Sequence, residues 1–164
     1  HQAHAHEHRG LAEIERLLQR ARAASTPISH IVQHSRKPGA AVFDPEGPLV
    51  EIMPALKPRA GEPVLIKHLP NSFTGTSLAE ALRATGRKHI IVVGFMTHMF
   101  VSATARASLD QGYPCTIVAS ACATRDLPDG NGGTVPAATV HTVELAALAD
   151  RFAEVVSSTD KIQD

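Results

Sequence analysis

Lys67 places an ammonium at a strand end, where a lone lysine is ordinarily solvated surface. It follows the apolar run Val64, Leu65 and Ile66, which reads as a short buried strand ending at the lysine. An ammonium partly stripped of water there can lower the pKa of a nearby thiol and stabilise developing negative charge. His30 and His34 lie four residues apart, but on a strand, ISHIVQ, which puts them on one face rather than in a helical metal pair. His34 ends that strand and can face a site. His1, His4, His6 and His8 could bind a divalent cation. Residues 1–10 are so polar, however, that they are expected to form a disordered or tag-like segment, and no metal or cofactor is assigned. Cys115 and Cys122 both lie in apolar sequence and are expected buried and reduced. Two cysteines make no disulfide framework, which fits a reducing, cytoplasmic setting.

These residues need positioning elements. Leu11 to Ala24 is amphipathic, with Leu11, Ile14, Leu17, Leu18 and Ala21 as its apolar stripe. Residues 35–61 hold eight Gly and Pro breakers and read as a long loop, a flap near the site or an oligomer contact. Residues 77–85 form a helix closed by Gly86. Ile90 to Val93 is a continuous apolar run, expected as a strand covered on both faces. Val101, Thr104, Ala105 and Leu109 then mark a helix ended by Gly112 and Pro114. Residues 94–100 are thus a strand-to-helix corner, where open α/β folds place ligands. Tyr113 to Ala119 is a further strand. Residues 136–152 form a helix with Val140, Val143, Leu145, Leu148 and Ala149 as its apolar side, and 153–157 a last strand. The run GNGG lacks the lysine of a phosphate cradle. Alternation of strand and helix predicts a three-layer α/β/α, Rossmann-like, mostly parallel sheet.

Lys plus Arg equals Asp plus Glu at 16 each, so no basic field marks a nucleic-acid partner. No run reaches the length of a membrane span, and 164 residues suit one domain.

The corner GFMTHMFVSATA resembles the G-x-x-T-x-x-C-V-x-x-T-A elbow of the isochorismatase-like cysteine hydrolase family. Gly94, Thr97, Val101, Thr104 and Ala105 match it. Lys67 followed by Ser72, Phe73, Gly75, Thr76 and Leu78 resembles that family's strand-end lysine and S-x-F-x-G-T-x-L segment. The resemblance covers residues 11–157, with 158–164 left as a frayed tail. It implies hydrolysis of a small amide, urea or vinyl ether, with Lys67 in the catalytic triad. It also implies an oxyanion hole of elbow amides, around Met96 and Thr97, after a cis Phe95–Met96 peptide. His34, Phe73, Phe95, His98 and Met99 are expected to line the substrate pocket, and the protein is expected to form homo-oligomers.

Two departures stand out. The family's nucleophilic cysteine is Phe100 here, which has neither a thiol nor a proton to give. The first Asp of the family's D-A-x-A-T segment is Ser120. The triad Asp belongs to a central V-x-D-x-Q strand that does not occur in this sequence, so an upstream strand is expected. A sheet without its middle strand leaves buried backbone groups unpaired, at about 1–3 kcal/mol each. Two functions follow: a hydrolase that is impaired or independent of cysteine, and a non-catalytic small-molecule binder or scaffold. A carboxylate-rich substrate would want an arginine, and Arg106 and Arg125 are the candidates nearest the elbow.

Overall fold

The computed structural model describes residues 2–163. Two compact units divide it. One comprises the residues up to Leu17 and those from Lys88 onward, the other Leu18–Arg87.

Helix α1 runs Gln2–Ala23 and contributes to both units. The expected disordered segment over 1–10 is therefore helical from residue 2. Gly10 explains the continuation: it is buried, and a Cβ there would lie 2.9 Å from Phe95 Cε1. The helix needs a glycine at this turn to lie close to that ring. The metal reading on His1, His4 and His6 falls outside the described side chains. Ile14, Leu17 and Leu18 are buried as their spacing predicts.

In the Leu18–Arg87 unit, β1 (His30–Gln33) pairs in parallel with β2 (Val64–Lys67), setting Gln33 opposite Lys67. The intervening loop carries 3-10 turns at Pro48–Val50 and Pro54–Leu56. Arg22, which the helical pattern puts on the wet face, instead binds Glu62 through Nε at 2.7 Å and Nη2 at 2.8 Å. His30 Nε2 lies 2.8 Å from the same carboxylate. The unit thus fastens the end of α1 to the entry of both strands. Helix α2 spans Leu78–Thr85, and Gly86 ends it at φ +68°, a left-handed turn that suits glycine.

In the other unit, β3 (Ile90–Phe95), β4 (Cys115–Ala123) and β7 (Glu154–Val156) form a parallel sheet in the order β3-β4-β7. Helices α3 (Ser102–Asp110) and α4 (Ala137–Arg151) cover one face. Val101, Ala105, Ile117, Leu145 and Leu148 fill that interface, with Ile117 and Leu148 fully enclosed. Helix α1 meets the sheet at Gly10, which lies beside Phe95 and Ala123. A two-residue hairpin, β5 (Leu127–Pro128) and β6 (Thr134–Val135), precedes α4.

Several expectations are corrected. Ile91 is 40% exposed, so the apolar run is not covered on both faces. Its neighbours Ile90 and Val92 pack on the core, as alternation along a strand requires. Strand β4 continues to Ala123, four residues past its expected end. Leu109 and Val143 are exposed at 43% and 62%, while Ser108 is buried. The tail is anchored too: Thr159–Lys161 is a 3-10 turn, and the Thr159 amide donates to Glu13 Oε1 at 2.7 Å. That bond lowers the Glu13 pKa, with lesser help from Arg16.

Candidate active site

Lys67 closes β2 with only 3% of its surface exposed. Its Nζ donates to Gln33 Oε1 at 2.5 Å and to the Leu69 carbonyl at 3.0 Å. The parallel register delivers Gln33, because the two residues are cross-strand partners. Burial pulls the lysine pKa down to about 8, so the amine titrates close to neutral pH. His34 sits beside it: its amide donates to the Lys67 carbonyl at 2.9 Å, and its own carbonyl accepts from His68 Nδ1 at 3.0 Å. Phe73 is buried, and its amide is held by Asn71 Oδ1 at 2.8 Å. Thr76 Oγ1 donates to the Ser72 carbonyl at 2.6 Å and accepts the Leu78 amide at 3.2 Å, which starts α2. The five residues matched after Lys67 therefore build a turn and a helix start.

The elbow lies in the other unit. Gly94 takes φ +130° where the β3–β4 register shifts, and the Phe95–Met96 peptide is cis. Thr97–Val101 then makes one turn of π-helix. The Met96 carbonyl accepts the amides of Met99, Phe100 and Val101 at 3.2, 3.0 and 3.3 Å. That single acceptor gathers the corner and fixes the backbone on which Phe100 stands.

Side chains clamp the corner from two directions. Thr97 is fully buried, and its Oγ1 meets His141 Nδ1 at 2.9 Å. His98 Nδ1 meets Thr124 Oγ1 at 2.5 Å. Burial lowers the His98 pKa, and Arg125 adds to the effect, so this ring is neutral at pH 7. Ser102 Oγ donates to Glu144 Oε1 at 2.5 Å, and Arg106 Nη2 reaches the same oxygen at 3.3 Å. Arg106 also stacks over Phe152, 4.2 Å from the ring centre. It is thus committed to holding α3 on α4 rather than offered to a substrate. Arg125 is exposed and donates to the Asp126 carbonyl.

The ring of Phe95, at the end of β3, lies against Gly10 of α1. Met99 is half-buried on the π-turn. His141 and Glu144 escaped the sequence reading, although a signal was present. With Leu145 and Leu148 they occupy positions i, i+3, i+4 and i+7 of α4, so two polar groups interrupt the stripe that faces the core. Taking Val143 as part of the stripe shifted the face and hid them.

Neither thiol can stand in for a nucleophile at position 100. Cys115 and Cys122 are buried, and burial raises both pKa values, that of Cys122 to about 12. Among the described residues, no group of three or more His, Cys, Asp or Glu side chains is placed to hold a metal. No described helix is long and apolar enough to cross a membrane.

Parallel strands, a bulged glycine and a helical corner define a three-layer α/β/α scaffold. The Isochorismatase domain family matches this chain over residues 2–160. The chain is 42% identical over 147 residues to the secreted isochorismatase effector Isc1 of Verticillium dahliae, covering 90% of this chain and 74% of that protein. A streptothricin hydrolase of Streptomyces noursei is 36% identical over 82% of this chain, which spans 53% of that enzyme. The crystal structure of an isochorismatase from Pseudomonas putida KT2440 superposes with a TM-score of 0.88 at 42% identity, over 96% of this chain and 79% of that one. The chain belongs to the isochorismatase family, and its fold is the three-layer α/β/α arrangement expected from the sequence.

Proposed function

We propose that this chain acts on a small molecule as an isochorismatase-family hydrolase of a C–N or vinyl-ether bond, and that it is impaired for the cysteine-dependent form of that chemistry. Phe100 at the nucleophile position carries the reading, because the only two thiols are buried and protonated at neutral pH. Lys67 supplies the chemistry that remains. An amine titrating at about 8 both carries a proton and can release it near neutral pH. Hydrolysis of a vinyl ether asks for a proton donor and a water rather than a thiolate. His34 and Phe73 serve binding beside Lys67, while Met96 and Thr97 offer elbow amides and His98 and Met99 the elbow's side chains.

The test is turnover of a panel of small amides and an enol ether by the wild-type chain and by Phe100→Cys, each with and without iodoacetamide. Wild-type turnover insensitive to the reagent, and a sensitive activity gained by the variant, support the reading. Wild-type turnover abolished by the reagent overturns it. Binding of panel members without hydrolysis by either protein favours a non-catalytic small-molecule binder, the reading that the missing nucleophile also supports.

A reducing, cytoplasmic compartment is supported by the two free thiols. Homo-oligomers are supported by exposed Val64 and Ile66 on β2, and sedimentation measures them directly.

A further inference from the structure

One opening lies wholly within the Leu18–Arg87 unit. It is a cleft of about 530 Å³ under the loop 35–43, within the range of small-molecule sites, roughly 300–1,000 Å³. The loop is closed at its base, where the Ser35 amide donates to the Phe43 carbonyl at 2.6 Å. Ser35 Oγ accepts the Lys37 amide at 3.0 Å, which turns the chain at Arg36 and Lys37. Phe43 takes φ +59°, a left-handed conformation unusual for a bulky residue, as it rejoins the cleft wall.

The lining is one-sided in charge. Arg36, Lys37 and His68 face the cleft, and none of its ten lining residues carries a carboxylate. Asp44, the acid next in sequence, accepts the Glu46 amide instead. Val42, Phe43 and Leu69 give an apolar wall. Gln33 and Leu69 also line the cleft, and these two residues accept the Lys67 ammonium. The opening therefore adjoins the lysine assigned to catalysis.

We propose that this cleft is a carboxylate-binding subsite, with Arg36 and Lys37 holding the anionic end of a small, partly apolar molecule next to Lys67. The inference rests on the function proposed above and names the substrate class: an organic acid rather than a neutral amide. A guanidinium and an ammonium on one short loop match a carboxylate, and the apolar wall accepts its carbon frame.

The experiment measures binding, so that it does not depend on turnover. Benzoate and its uncharged counterpart benzamide are titrated against the full chain by calorimetry at 50 and 500 mM salt. The same is done for Arg36→Gln/Lys37→Gln, whose exposed positions leave the fold intact by circular dichroism. Benzoate should bind the wild-type chain about tenfold more tightly than benzamide, the worth of one or two charge-assisted contacts. That preference should shrink at high salt and vanish in the double variant. Equal binding of the two probes overturns the subsite. Benzoate binding unaffected by the double substitution also overturns it, because the acid then sits elsewhere. Carboxylate preference in a protein that hydrolyses nothing keeps the subsite and defeats the hydrolase reading. Hydrolysis of neutral amides with no carboxylate preference does the reverse.

Discussion

Lys67→Met turns the buried amine into a quantitative test. The ammonium has a folded pKa of about 8 against 10.5 for a free lysine, with burial as the cause. Between these values the unfolded chain binds more protons than the folded one, so raising the pH stabilises the fold. Below pH 8 both states are protonated, and the fold bears the whole cost of the buried charge. At about 1.4 kcal/mol per pH unit, the gap corresponds to roughly 3 kcal/mol. Methionine fills a similar volume and does not titrate. Subtracting its stability from that of the wild-type chain cancels every other titrating group. The difference should move in favour of the wild type by roughly 2–3 kcal/mol between pH 7.5 and pH 10.5. At pH 7 the variant loses the bonds to Gln33 and Leu69 but escapes the desolvation cost, so the two proteins should lie within about 2 kcal/mol of each other. Urea unfolding followed by circular dichroism is the assay, since the chain has no Trp and one Tyr. A difference that stays flat to within about 0.5 kcal/mol across that range refutes the buried-amine account.

Three further substitutions test the supports of the site. His141→Ala removes the partner of buried Thr97 and should cost about 1–3 kcal/mol, with partial rescue by His141→Asn, measured by urea midpoints. Glu62 is held well below the usual carboxylate range, chiefly by Arg22, so its contribution is present above pH 4.5 and lost as the pH falls below it. Glu62→Gln should cost about 1–2 kcal/mol at pH 7 and flatten the acid limb of the stability curve. Gly10→Ala gains helix propensity, about 1 kcal/mol, but drives a methyl to 2.9 Å from the Phe95 ring. A net loss of about 1 kcal/mol, seen as a lower melting temperature, is expected from overpacking.

The sequence disclosed those parts of the fold that local pattern determines. Gly86 and Gly112 mark helix ends because only a left-handed turn follows there, and both have positive φ. The corner after β3 was legible because a β-branched run, a glycine and a helical stripe follow one another. What escaped depends on contacts across the chain. Residues 2–10 read as a polar tail because nothing local tells that Gly10 meets Phe95. Arg22 and Glu13 bind partners that no local pattern discloses, because Glu62 and the Thr159 amide lie 40 and 146 residues away. Arg36 and Lys37 went unread because only the folded loop brings them to the same cleft as Gln33 and Leu69.

The central claim is that Phe100 closes thiol chemistry on an otherwise formed elbow. The measurement that tests it most directly compares iodoacetamide-sensitive hydrolysis of small amides by the wild-type chain and by Phe100→Cys. The account predicts none in the wild type and a measurable activity in the variant. Equal, reagent-sensitive turnover by the unsubstituted chain would show that a buried thiol, Cys115 or Cys122, does the work, and would contradict it.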